Sequence, residues 1–436
     1  MYRTIYEKLE AWKTSPWRKP LVIRGVRQCG KTYSLKEFGQ KNYRNVAYLN
    51  FEDELELSSL FDQNLNPHRI INDLNVIYGK DIDKDTLIIF DEIQFCNHAL
   101  TSLKYFYENA PEYHIICAGS LLGIMLSKPL SFPVGKVDII TMRPMSFREY
   151  LIARKGPGFC ENIEGKTDAM PEVFLNELYR IYREYCFVGG MPEVVDRWLK
   201  TKDLESVRKV QKTIVLSYEA DFAKHAPSNE VQKLNKIWNS IPQQLSKENK
   251  KFVFGHAVTG ARAKDLEDSL QWLIDAGLVH KVNMTERPSI PMSAYSDPSV
   301  FKLYYADIGL LGAMSGTPAS SIIADDDRYK EFKGGMAENY VLNELLDVTD
   351  EMPYYWRSGN KAEVDFVHMM CDEIVPIEVK SKNFSRVQSL ERYVTQYDPK
   401  KAFVISERNI KNGKVTFLPL SMVWNIISFV EKDLQS

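Results

Sequence analysis

The 436-residue chain has no apolar run approaching the ~18 residues that a membrane helix needs. Its first residues, MYRTIYEKLEAWKTSPWRKP, contain no apolar stretch of the signal-peptide kind. The six cysteines (Cys29, Cys96, Cys117, Cys160, Cys186 and Cys371) never form a C-x-x-C pair. Their scatter excludes a zinc ribbon or a disulfide framework and points to reducing, cytoplasmic surroundings without a membrane partner. The seven histidines lack metal-ligand spacing and read as core or surface residues. Charge of one sign is also missing: 56 Lys and Arg face 58 Asp and Glu, a net of −2. No global field draws the chain to nucleic acid, so any such surface must be a local patch. Internal repeats and low-complexity tracts are absent.

What is present describes a globular chain, 44% hydrophobic and 26% charged, with room for about two to four domains. The first third alternates short apolar runs with helical patterning, which predicts a parallel α/β sheet. Leu21–Arg24, Val46–Asn50, Leu87–Phe90 and Ile115–Ala118 read as buried strands, and Ser102–Glu108 as part of a helix between two of them. Residues 145–223 carry helix-period patterning, broken by Gly189-Gly190-Met191-Pro192. Ala263–Ala276 has helical spacing, with Leu266, Leu270, Leu273 and Ile274 on one side. Gly277 ends it and Leu278–Val282 reads as a strand, so helices feed a β-ribbon in the manner of a winged helix. Ser315–Ile323 reads as a linker. The expected domains are 1–155, a P-loop core; 156–226, a helical lid; 227–323, a winged-helix-like region; and 324–436, a last α/β unit.

The sharpest motif is Gly25-Val26-Arg27-Gln28-Cys29-Gly30-Lys31-Thr32, a G-x-x-x-x-G-K-[ST] loop between an apolar strand and a helix. Its glycines let backbone N–H groups wrap phosphates. Lys31 is suited to the β/γ-phosphates and Thr32 to Mg²⁺. Gly25, Gln28, Cys29, Gly30, Lys31 and Thr32 are therefore the expected nucleotide contacts. The strand TLIIF ends in Asp91 and Glu92. Asp91 suits the hold on Mg²⁺, and Glu92 suits polarising the attacking water. Ser120, at the end of the strand His114–Gly119, is placed to sense the γ-phosphate.

The segments GVRQCGKT, LIIFDEIQ, CAGS, FPVGKV and RPMSFREYL resemble the AAA+ family known as AAA_14. FVGGMPEVV, SYEADFAKH and KLYYADIGLL resemble the DUF4143 region that accompanies it. The resemblance implies an AAA+ ATPase core, a helical lid and a winged-helix-like element, with ATP as ligand. A homo-oligomer is consistent with it. Lys136 and Arg143 are the candidates for a cation offered to a neighbouring subunit, and each reads equally as a solvated surface cation.

The last quarter carries a second constellation: Glu338 at a helix start, Asp365 in AEVDFV, and Glu378 with Lys380 in PIEVK. Strand alternation puts Glu378 and Lys380 on one face. Asp365 and Glu378, with Glu338, would ligate Mg²⁺ or Mn²⁺, and Lys380 would stabilise charge. The pattern resembles the PD-(D/E)xK nuclease superfamily. Ser389 stands where the RecB-like branch of that superfamily has glutamine. Lys380, Lys382 and Arg386, together with Arg262 and Lys264, are candidate phosphate contacts. The leading expectation is an ATP-hydrolysing protein that acts on nucleic acid, with DNA as partner and metal-dependent cleavage as a further activity. The alternative is an ATP-controlled switch whose nuclease-like domain only binds DNA or protein. A protein-remodelling ATPase is the least favoured reading.

Overall fold

The computed structural model describes residues 1–436 except 80, 121, 127–132, 134, 327–328, 360–361, 382–386 and 435–436. Two compact units are present. The first is Met1–Pro144 with Asp275–Leu278; the second is Met145–Ile274 with Val279–Ser436.

The first unit is an all-parallel sheet of five strands: β1 (Leu21–Arg24), β2 (Asn45–Asn50), β3 (Thr86–Asp91), β4 (His114–Gly119) and β5 (Asp138–Thr141). Their spatial order is β2-β3-β4-β1-β5. Strand β3 is buried throughout and β4 nearly so, as a sheet covered on both faces requires. Strand β2 shows the broken pattern of an edge. The core joins Val22, Leu49, Ile88, Phe90 and Cys117 to Leu103 and Phe106 of the helix Asn97–Asn109. Four strands lie where the apolar runs predicted them. Strand β5 escaped sequence reading because it is a four-residue edge that leaves Ile139 45% exposed.

The second unit begins with helices Phe147–Lys155, Glu172–Val188, Pro192–Thr201, Leu204–His225, Val231–Leu245 and Ala263–Asp275, the last residue of which clusters with the first unit. Seven strands follow: β6 (Val279–Thr285), β7 (Ser296–Tyr305), β8 (Tyr354–Ser358), β9 (Ala362–Met370), β10 (Glu373–Val379), β11 (Ala402–Ser406) and β12 (Val415–Pro419). They form one sheet in the order β12-β11-β10-β9-β8-β6-β7. This single sheet corrects the expected separation of 227–323 from 324–436. Strand β6 pairs antiparallel with β7 as a ribbon, but it also pairs parallel with β8 at Met284 and Thr285. Nor is 315–323 a linker: Ala319–Ile323 is a helix that buries Ser321 and Ile322.

The motifs FVGGMPEVV and YYADIGLL interlock. Gly190 N–H donates to Asp307 Oδ2 at 2.6 Å, and Leu310 N–H donates to Asp307 Oδ1 at 2.8 Å. One buried carboxylate thus caps the helix Ile308–Met314 and grips the Gly189-Gly190 turn. A Cβ on Gly190 would lie 2.0 Å from the Met145 carbonyl oxygen, so the turn has no room for a side chain. Burial raises the Asp307 carboxyl to about 6.

The helix 263–275 does not present the expected cationic face. Arg262 and Lys264 are exposed, but so are Asp265, Glu267 and Asp268, and Asp265 Oδ2 accepts the Arg262 N–H at 2.9 Å. Acids outnumber bases on this side, which opposes approach of a phosphate backbone.

His368 on β9 is 1% exposed and sits 2.8 Å from Thr349 Oγ1. Burial lowers its pKa from 6.5 to about 4. A folded value below the free value means stability that is present above pH 6.5 and lost as pH falls toward 4. Wild type is expected to lose about 3 kcal/mol through this group over that window. His368→Gln should show a correspondingly flatter acid limb in denaturant titrations run at several pH values. Parallel acid limbs in the two proteins would refute the assignment.

Candidate functional sites

The loop between β1 and the helix Lys31–Asn42 is shaped by sterics. A Cβ on Gly25 would come within 2.1 Å of the Met142 carbonyl oxygen. Gln28 (φ 65°) and Gly30 (φ 95°) adopt the left-handed region and turn the chain into the helix. That helix has no side-chain cap and no acid in its first turn. By contrast, the helix Pro67–Tyr78 has the N–H groups of His68 and Arg69 satisfied by Asn66. The uncapped end therefore offers backbone donors and a positive dipole to an anion. Cys29 is buried, its Sγ 3.6 Å from the Met142 carbonyl, so it faces the loop interior. Lys31 is also buried and donates to the carbonyls of Gly25 (2.8 Å) and Val26 (2.9 Å).

Strand β3 brings Asp91 to this loop. Thr32 Oγ1 donates to Asp91 Oδ2 at 2.7 Å, and the Glu92 N–H donates to Asp91 Oδ1 at 3.0 Å. A third donor, the Tyr48 hydroxyl, reaches Asp91 Oδ2 at 2.8 Å from β2. Burial and the Asp91 charge push the Tyr48 phenol up, so it remains a donor. Glu92 adopts φ 48°, and its Oε2 accepts from Gln94 Nε2 (2.5 Å), Ser120 Oγ (3.2 Å) and Ser120 N–H (3.4 Å). Ser120 thus holds Glu92. A Cβ on Gly119 would lie 2.1 Å from Gln94 Oε1, so a side chain there would displace Gln94 from this clamp. The geometry gathers Lys31, Thr32, Asp91, Glu92 and Ser120 and adds Tyr48 and Gln94. Tyr48 carried no sequence signal, since only the pairing of β2 beside β3 brings it near Asp91. Lys136 Nζ lies 3.0 Å from Glu108 Oε1, and the Arg143 carbonyl accepts from Arg3 Nη2 at 2.6 Å.

In the second unit, Glu338, Asp365, Glu378 and Lys380 also converge, but not as expected. Strands β9 and β10 are antiparallel, with Phe366 opposite Ile377, and Asp365 Oδ2 accepts the Val379 N–H at 2.8 Å. Lys380 Nζ is 2.5 Å from Glu378 Oε1. Glu338 on the helix Lys330–Thr349 has both oxygens engaged. Lys250 Nζ lies 2.7 Å from Oε1, and the Tyr304 hydroxyl donates to Oε2 at 2.8 Å. Lys302 Nζ, from β7, is 2.8 Å from Glu363 Oε1, 3.5 Å from Glu338 Oε2 and 3.7 Å from Asp365 Oδ1. Burial alone would raise Glu338, but Lys250 and Lys302 overcome it and hold that carboxyl at about 2. Burial, then the charges of Glu338 and Glu378, push Asp365 well above the usual carboxylate range. Burial also raises Glu378, against the pull of Lys380.

Glu338, Asp365 and Glu378, the expected metal set, are thus engaged by protein donors. Among the described residues no group of three or more His, Cys, Asp or Glu side chains is arranged to hold a metal ion. Two lysines occupy the carboxylate oxygens instead. Lys250 and Lys302 come from the region read as a separate domain, so nothing local to E-x-K could reveal them. Lys382 and Arg386 lie outside the described residues.

Residues 17–151 match a family described as an AAA domain, AAA_14. Residues 179–321 match a domain of unknown function, DUF8612, and residues 333–423 another, DUF4143. The chain thus joins an AAA_14 domain to a DUF4143 region. It is an AAA-type ATPase, with the parallel five-stranded sheet that a P-loop requires. FVGGMPEVV, SYEADFAKH and KLYYADIGLL fall within the DUF8612 match rather than DUF4143, which corrects their expected grouping. No curated protein matches the chain. Among solved structures it is similar to the Walker-type ATPase PABY2304 of Pyrococcus abyssi, at 16% identity and TM-score 0.44, covering 71% of this chain and 94% of that one. The Orc1 protein of Aeropyrum pernix, solved in complex with DNA, gives 11%, 0.28, 73% and 91% in the same order. AMPPCP-bound DnaA from Aquifex aeolicus gives 15%, 0.28, 63% and 87%. These likenesses are slight. No helix among the described residues is long and apolar enough to cross a membrane.

Within this AAA domain, Tyr48 fixes the oxygen of Asp91 that also meets Thr32. Tyr48→Phe is expected to raise the Mg²⁺ concentration for half-maximal ATP turnover about 2- to 10-fold, the size of one hydrogen bond. The KM for ATP at saturating Mg²⁺ should change little. Mg²⁺ titrations of the steady-state rate check this, and superimposable titrations would leave Tyr48 a packing role only.

Proposed function

We propose that the protein is an ATP-hydrolysing switch that acts on nucleic acid, its C-terminal module binding the strand without cutting it by a metal-dependent route. The observation that carries the ATP reading is the contact of Thr32 with Asp91 beneath an uncapped helix end, with Glu92 beside it. These residues fit a nucleoside triphosphate and its Mg²⁺. The loop N–H groups face the phosphates, and Thr32 and Asp91 offer hard oxygens for the ion. When bound, the ion neutralises phosphate charge. Lys31 then exchanges the Gly25 and Val26 carbonyls for phosphate oxygens. Glu92 leaves Ser120 and Gln94 to orient a water and accept its proton.

The preference for binding over cutting comes from Lys250 and Lys302, which sit on the carboxylates that a nuclease would offer to metal. The acid and lysine pattern of this module supports the nucleic-acid reading, with DNA as the first ligand to test.

Lys31→Ala should abolish nucleotide binding. Glu92→Gln should bind ATP normally but hydrolyse it about 100-fold more slowly or worse. Single- and double-stranded DNA binding should differ between Glu92→Gln trapped with ATP and wild type with ADP, and weaken with salt, and wild type should cleave neither in Mg²⁺ or Mn²⁺. Equal hydrolysis by wild type and Glu92→Gln would overturn the catalytic role. Asp365-dependent cleavage would restore the nuclease reading, and DNA affinity blind to nucleotide would remove the switch.

A further inference from the structure

We infer that Lys302 is a built-in counter-ion that takes the place of a divalent ion among Glu338, Glu363, Asp365 and Glu378. The inference rests on the reading of this module as one that binds without cutting, and it explains why.

Carboxylates buried together repel one another and require a cation. A nuclease-like site meets that need with a divalent ion whose oxygen ligands close to about 2.0–2.6 Å. Here the oxygens are already committed. Glu338 is taken by Lys250 and Tyr304, Asp365 Oδ2 by the Val379 N–H, and Glu378 Oε1 by Lys380. Glu363 Oε1 lies 2.8 Å from Lys302 Nζ. Of the other three carboxylates, Asp365 Oδ1 and Glu378 Oε2 remain. The first faces Lys302 at 3.7 Å, and the second is buried without a hydrogen-bond partner.

Lys302 itself is 1% exposed and makes no directional hydrogen bond, although three carboxylates lie within 3.7 Å of its Nζ. The Tyr355 ring lies 4.9 Å away on the remaining side. It is held by charge alone, as a bound ion would be. Its aliphatic stem tethers that charge to β7, within the DUF8612 match, whereas the carboxylates belong to the DUF4143 match. One region thus supplies the cation that the other needs. A permanent ammonium has no open coordination position to polarise a phosphate or a water, so the site keeps its shape and loses the metal route to hydrolysis.

The test uses the full-length, nucleotide-free protein and Mn²⁺ alone, with free ion followed by electron paramagnetic resonance. Each protein is compared with its Asp365→Asn counterpart, which isolates this site from Thr32 and Asp91. Wild type should show no Asp365-dependent Mn²⁺ binding into the millimolar range. Lys302→Met keeps the stem but removes the charge, and it should gain one Asp365-dependent ion at least about 10-fold tighter than any wild-type binding. Asp365-dependent Mn²⁺ binding in wild type overturns the inference, and this arm stands even if Lys302→Met does not fold. A folded Lys302→Met that gains no ion also overturns it. ATP-dependent DNA binding by wild type is read separately, so loss of the switch reading is distinguishable from loss of this one.

Discussion

Lys302 is an ammonium that the fold of the second unit has to bury, and much of that unit's C-terminal half is arranged so that it can. Its ion pairs reach the central strand β9 and the helix Lys330–Thr349 from β7, the edge strand of the same sheet. Burying an isolated charge costs several kcal/mol even after relaxation, and burying clustered carboxylates without a cation costs comparably. Each therefore stabilises the other only if β6 and β7 are continuous with β8. The parallel pairing of Met284 and Thr285 with Tyr355 and Trp356 makes that connection. A module boundary near residue 324 would cut through the ion cluster, leaving charges of one sign buried on one side.

The AAA unit solves a related problem differently. Asp91 is nearly fully buried, yet it has no lysine partner among its hydrogen bonds; two hydroxyls and a backbone N–H hold it. Hydroxyls satisfy a carboxylate without cancelling a charge on it, which fits the role proposed for Asp91 toward a phosphate-bound ion. An ammonium, as at Glu338, cancels it. The same residue type thus serves opposite ends. Asp91 is held by hydroxyls and a backbone N–H, whereas Glu338 is held by an ammonium and a phenol.

Other motifs proved to be structural. Gly189-Gly190 and Asp307 lie in segments rich in distinctive residues, but the carboxylate is spent on the N–H groups of Gly190 and Leu310. Its distinctiveness comes from sterics, because only a chain without a Cβ lets the turn approach Met145 closely.

Residues 25–32, 86–92 and 114–120 were legible in the sequence because the chemistry there is local. A phosphate loop needs glycines, lysine and a hydroxyl within eight consecutive positions, and a buried parallel strand needs an unbroken apolar run. Strand alternation likewise placed Glu378 and Lys380 together. What the sequence could not show were partners set by strand order and side-chain reach. Tyr48 meets Asp91 because β2 lies beside β3, Ser120 turns to Glu92, and Lys250 and Lys302 arrive from residues far along the chain. Periodicity and motif spacing report on short separations, so the amino-acid sequence by itself determined the phosphate loop, its acidic strand and the positions of the C-terminal acids. Which cation those acids receive was decided only in three dimensions, because a buried charge takes whichever counter-charge the tertiary fold brings within a few ångströms.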